Sequence, residues 1–128
     1  DTEPISKLPW TNVKALVADI TNSSLDSIII DNIGSKVDVL ISDVSPKISG
    51  AWDVDQARQL HLAERSLEIA KMVLKTNGNF FVKAFHGPDL RTYQDGLKAH
   101  FKEVRFVKPP ASKQRSSEIY VLAMGYRG

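Results

Sequence analysis

Three residues of this chain, Asp43, Lys83 and Glu118, have types and places suited to handling one proton on a hydroxyl. Asp43 follows the apolar run 37–42 (VDVLIS), Lys83 lies in 80–85 (FFVKAF), and Glu118 stands at the start of 117–124 (SEIYVLAM). A hydroxyl is a poor nucleophile until a partner accepts its proton or holds it in line. General-base help alone contributes about 10²–10⁴-fold. Each residue also has a plainer reading: a strand-end lysine that snorkels, an aspartate that caps a turn, a glutamate paired with Arg115. Their convergence is what would make them a site.

The elements that must bring them together follow from periodicity. Residues 13–18 (VKALVA) read as a short strand ending at Asp19-Ile20. Thr21, Asn22 and Ser23 offer helix N-cap chemistry, and a helix is expected from about 24 to 33, closed by Gly34. The run 37–42 is nearly all apolar, as in a central parallel strand covered on both faces. After the loop SPKISGAWD, a helix over 54–75 carries Leu60, Ala63, Leu67, Ala70 and Leu74 on one stripe. Asn77-Gly78 is expected to stop that helix, with a strand over 79–85. A helix from Pro88 to about His100 carries Leu90, Tyr93, Leu97 and Phe101 on one side, and strands follow over 104–107 and 117–124.

Strands alternating with helices imply a Rossmann-like α/β fold with a mostly parallel sheet. The last two strands are joined by too few residues for a crossover helix, so the final strand is expected to be antiparallel. Ligands of such sheets bind beyond the carboxyl ends of the parallel strands. Asp43 and Lys83 lie at such ends, and the beginning of an antiparallel last strand, Glu118, reaches the same edge.

The 128 residues are 42% hydrophobic and 25% charged, which fits one domain spanning 1–128. No run approaches the roughly 18 apolar residues of a membrane span. The lack of cysteine removes disulfides and thiolate metal sites and suits the cytoplasm, and no metal-ligand cluster is visible. No G-x-S-x-G surrounds Ser45 or Ser49, and no G-x-G-x-x-G supports a nucleotide-dependent oxidoreductase. The net charge of +2 says little, but Lys102, Arg105, Lys108, Lys113, Arg115 and Arg127 crowd the last quarter. Lys47, Lys108, Lys113 and Arg115 flank the expected catalytic edge and are the candidates for phosphate contact. Trp52 offers either a stacking face for a base or burial against the long helix. The opening DTEPISKLPW reads as the loop leaving a strand that precedes it, so the domain is expected to be truncated at its N-terminus.

The segments SDVSPKISG, NFFVKAF and KPPASKQRSSEIYVLAMG, in that order and spacing, resemble the FtsJ-like ribosomal RNA ribose 2′-O-methyltransferases. The resemblance runs from about Val13 onward. It implies a cofactor, S-adenosylmethionine, and an RNA substrate, with RNA of the large ribosomal subunit favoured over a transfer RNA or a messenger cap; the chain is expected to act as a monomer. In the family a Lys-Asp-Lys-Glu set is catalytic; Asp43, Lys83 and Glu118 match its last three members. Asp19 resembles the acidic residue that holds the cofactor's adenine amino group, and Ile20 the apolar neighbour that packs on the ring. Asp43 also borders the cofactor, and Asp1 resembles the acidic residue that binds the ribose hydroxyls. The family's first lysine and its glycine-rich loop belong upstream of these residues, and Lys47 stands where the family pattern has Asn. The alternative is a non-catalytic RNA- or cofactor-binding module that keeps the fold.

Overall fold

The computed structural model describes residues 1–108 and 117–128. Its elements are α1 (Leu25–Ile33), β1 (Val37–Ser42), α2 (Trp52–Val73), β2 (Leu74–Phe85), α3 (Leu90–Lys98), β3 (Phe101–Val107) and β4 (Glu118–Tyr126). The four strands form one sheet in the order β1-β2-β4-β3. β1 and β2 are parallel, and β4 is antiparallel to both of its neighbours. This is the mostly parallel α/β sheet with a reversed last strand that the element order predicts. The position of β4, inserted between β2 and β3, is additional.

Alternation along β2 and β4 sorts their side chains between two faces. On one face Phe80, Val82 and Ala84 oppose Ala123, Val121 and Ile119, and the core closes over them with Ala63 and Ala70 of α2 and Leu90, Tyr93 and Leu97 of α3. Burying side chains of this size contributes about 1.5–3 kcal/mol each for the larger ones, so this layer anchors β2. The other face of the two strands carries Phe81, Lys83 and Phe85 opposite Leu122, Tyr120 and Glu118. Lys83 and Glu118 therefore share a face because the antiparallel register puts them there.

The structure corrects the expectation for three segments. Residues 13–18 form no strand; Ala18 donates its backbone N–H to the Asp1 carbonyl and the Asp1 amine donates to the Leu16 carbonyl, without a repeating ladder. β1 is not covered on both faces: Val39 and Ile41 are 52% and 67% exposed, and β1 lies at an edge of the sheet among the described residues. An apolar run records a preference for burial, not the neighbours that supply it. Finally, α2 ends at Val73, and Leu74 is already extended and paired with Val37. Asn77 is left-handed, at φ 68°, but it lies inside β2 where the ladder slips between Val37 and Val39. Gly78 is needed at that slip: a Cβ there would sit 2.8 Å from the Lys75 carbonyl oxygen and 3.0 Å from that of Asp38. By contrast α1 ends as its sequence predicts, on Gly34 at φ 79°.

Candidate active site

The β1–β2 ladder ends at the pair Ser42 and Val82, and the next residue on each strand bears a charged side chain, Asp43 and Lys83. Lys83 is 9% exposed, yet it is not left unpaired. Its Nζ lies 3.0 Å from Asp43 Oδ1 and 3.7 Å from Glu118 Oε1, and it donates to Ser45 Oγ at 3.1 Å. An ammonium has three donors, and three oxygen groups surround this one. A buried charge costs several kcal/mol unless it is compensated, so the two carboxylates are what allow an amine here.

Asp43 is shared between two partners. Tyr120, facing Lys83 across β2 and β4, donates its hydroxyl to Asp43 Oδ1 at 2.8 Å, and its ring stacks on Phe81 with centroids 4.8 Å apart. Burial works to raise the Asp43 carboxyl, but the hydrogen bonds from Tyr120 and Lys83 and the lysine's charge outweigh it and hold it below 3.8. The bond to Asp43, then burial, then the Asp43 and Glu118 charges push the Tyr120 hydroxyl up to about 12.

Behind this cluster, α2 turns a polar edge toward the strand ends. Gln59 is 1% exposed, and its Nε2 donates to the carbonyls of both Val44 and Lys83 at 3.1 Å. One side-chain amide thus bridges the two strands just beyond their last ladder pair. Ser66 donates to the Leu62 carbonyl, and its Oγ is 2.7 Å from Ser42 Oγ. Asp55 accepts from the Ser49 N–H and hydroxyl, both at 2.8 Å, and from the Gly50 N–H at 3.2 Å. Those bonds hold the Asp55 carboxyl low against burial and pin the loop between β1 and α2.

The same strand ends open onto a cavity of about 1290 Å³ whose walls include Asp1, Asp19, Ile20, Leu40 and Asp43. All four residues expected to meet a cofactor therefore line one space. Asp19 Oδ1 accepts from the Thr21 N–H at 2.8 Å and the Thr21 hydroxyl at 2.7 Å, which hold its carboxyl low. Asp19 is thus a turn residue as well as a wall of the cavity. Asp1 Oδ1 accepts from the Glu3 N–H at 3.0 Å. Arg65 of α2 clamps the adjoining turn by donating to the carbonyls of Ile20 and Asn22 at 2.8 Å, and it pairs with Asp26 of α1 at 3.2 Å.

Of the four candidates for RNA contact, Lys47 is exposed on the pinned loop and Lys108 is exposed just past β3, whose end pairs with Tyr120 at the same rim. Lys113 and Arg115 lie outside the described residues. Trp52 is not buried against the helix: it is the first residue of α2, 45% exposed, and stacked on Phe85. Sequence reasoning missed Tyr120, Gln59 and Arg65. Tyr120 was within reach, since it stands two residues from Glu118 in a strand and so shares its face. Gln59 and Arg65 carry no signal, because a polar residue on a helix reads as solvent-facing until the packing is known.

No helix among the described residues is long and apolar enough to cross a membrane. Residues 1–126 match the sequence profile of the FtsJ-like methyltransferases. A Methanocaldococcus jannaschii protein named ribosomal RNA large subunit methyltransferase E is 42% identical over 131 aligned positions, covering 100% of this chain and 54% of that protein. A protein of the same name from Archaeoglobus fulgidus is 42% identical over 120 positions, covering 93% of this chain and 62% of that protein. The chain spans about half the length of the curated relatives it matches. The crystal structure of a ribosomal RNA methyltransferase from Plasmodium falciparum superposes with a TM-score of 0.86 at 21% identity, over 99% of this chain and 70% of that one, a likeness of fold.

Proposed function

This chain belongs to the FtsJ-like methyltransferase family, and we propose that it is the catalytic part of an enzyme that methylates a ribose 2′-OH of large-subunit ribosomal RNA with S-adenosylmethionine. The observation that carries this reading is the double use of Asp43. Its carboxylate is 3.0 Å from the Lys83 amine and also lines the large cavity. One residue thus borders both the space for a methyl donor and the amine that would meet a hydroxyl.

The cavity's lining suits the cofactor. Apolar Ile20, Leu25, Leu40 and Ile41 would receive a flat base, while Asp19 and Asp1 would accept from its amino and hydroxyl groups. The bound cofactor supplies an electrophilic methyl group on a sulfonium. Lys83, held by Asp43 and Glu118, orients the attacking 2′-hydroxyl, and much of the rate comes from that positioning. It acts as a base only once RNA closes over the site, and otherwise as a donor that orients the hydroxyl. Asp43 steers Lys83 from the cavity side, and Glu118 fixes it from β4 and contacts the ribose. Lys47, Lys108, Lys113 and Arg115 meet the RNA backbone. The whole is read as a single-domain monomer working in the cytoplasm.

Lys83→Ala in the full-length protein tests the assignment. RNA methylation should fall by at least about 10²-fold, with S-adenosylmethionine affinity unchanged by calorimetry. Activity within a few-fold of the parent would remove Lys83 from the mechanism. Cofactor and RNA binding without turnover in the parent itself would favour the non-catalytic module.

A further inference from the structure

We propose that Trp52 is a stacking platform for an unpaired base of the substrate RNA, beside the nucleotide whose ribose meets Lys83. The proposal rests on the RNA-modifying function above. A tryptophan is a large apolar side chain that folding usually covers for the most part, yet Trp52 keeps 45% of its surface exposed. It is not loosely held. Its ring lies on the buried ring of Phe85, with centroids 6.1 Å apart and planes 16° from parallel.

Its position relates it to the site. Phe85 is two residues beyond Lys83 on β2, on the same face and about 6–7 Å along the strand, and it pairs directly with Glu118. The indole therefore sits at the rim where Lys83 and Glu118 stand, one ring further out. The loop leading into Trp52 is fixed as well. Asp55, 4% exposed, takes three hydrogen bonds from Ser49 and Gly50, and Gly50 turns the chain at φ 87°. An aromatic surface held at a helix start behind a pinned loop binds at a reduced ordering cost.

A nucleobase is the occupant this place calls for. A ribose cannot reach a recessed lysine unless its nucleotide and those next to it leave regular stacking. Splayed bases are recognised on aromatic faces. Lys47, five residues before Trp52 on the loop that leads into α2, is exposed to meet a phosphate of the same strand. Trp10 is also exposed but lines a separate hollow formed by residues of the N-terminal segment, none of them in the Lys83 cluster, and is the natural control.

The test uses the full-length protein with every tryptophan except Trp52 changed to phenylalanine, Trp10 among them. Titration with a short single-stranded RNA should quench the Trp52 emission, and the same backbone without bases should not. Trp52→Ala should raise the KM for RNA about 10-fold, the scale of one base–aromatic stack, with cofactor affinity unchanged and kcat within about 2-fold. Trp52→Tyr should restore most of the loss. If Trp52→Ala fails to fold, Trp52→Leu keeps the apolar contact with Phe85 and should show the same KM defect. RNA binding with unchanged Trp52 emission, or a KM within 2-fold in the alanine and leucine variants, would overturn the platform and leave the methyltransferase reading intact. A parent protein that neither binds nor methylates RNA would overturn both.

Discussion

Tyr120 and Lys83 compete for the same carboxylate oxygen, and that shared acceptor makes the charges at this site interdependent. Tyr120→Phe keeps the stack on Phe81 and removes only the hydroxyl. The Asp43 carboxyl should then titrate higher, closer to 3.8, in a carbon-detected NMR titration; an unmoved value would show that Tyr120 does nothing for the charge. Because the folded Asp43 value is depressed, its contribution to stability is present above about pH 4 and is lost as pH falls through the lower, folded value. The folded Tyr120 value is raised, so its contribution is present below about pH 10 and is lost as pH rises through about 12. Unfolding followed against pH should show both edges in the parent and neither of these contributions in Tyr120→Phe with Asp43→Asn. The carboxylate is more than half exposed, so each edge is worth at most about 1 kcal/mol.

At the scale of elements, Gln59 replaces a missing ladder. The ladder ends at Ser42 and Val82, and beyond it the Gln59 amide ties the Val44 and Lys83 carbonyls to each other. Gln59→Met keeps the volume and removes both donors. It should lower stability by about 1–3 kcal/mol and lower kcat about 10-fold, with cofactor and RNA affinity nearly unchanged. A variant that lost stability alone would make Gln59 a packing residue only. Gly78→Ala should also destabilise, by about 1–3 kcal/mol, because its Cβ would meet two backbone oxygens that cannot swing aside. Thermal denaturation reads it directly. Most elements were legible in the chain, since the Gly34 stop, the α3 stripe and the β4 alternation are local patterns. The join of α2 to β2 was not, because Asn77-Gly78 carries the same left-handed signal at a helix end or inside a bulged strand.

For the whole molecule, the proposed RNA surface is electrostatic at its edge and aromatic near its centre. Binding to single-stranded RNA should weaken linearly in log affinity against log salt, and Lys47→Ala should reduce the slope by about 0.7. A slope unchanged by that substitution would place Lys47 off the phosphate path. The fold supplies the frame for this surface, because β4 runs against its neighbours and returns Glu118 to the edge where Asp43 and Lys83 end.

Asp43, Lys83 and Glu118 could be named from the chain alone, since residue type, strand ends and the short β3–β4 connection all point to one rim. Their company could not. Tyr120 on Asp43, Ser45 on Lys83, Gln59 behind both and Trp52 held outward on Phe85 all depend on which strands neighbour each other and how α2 is rotated against them. Local periodicity says which face a side chain takes along its own element. Contacts between elements far apart in the chain are set by packing, which no local pattern encodes.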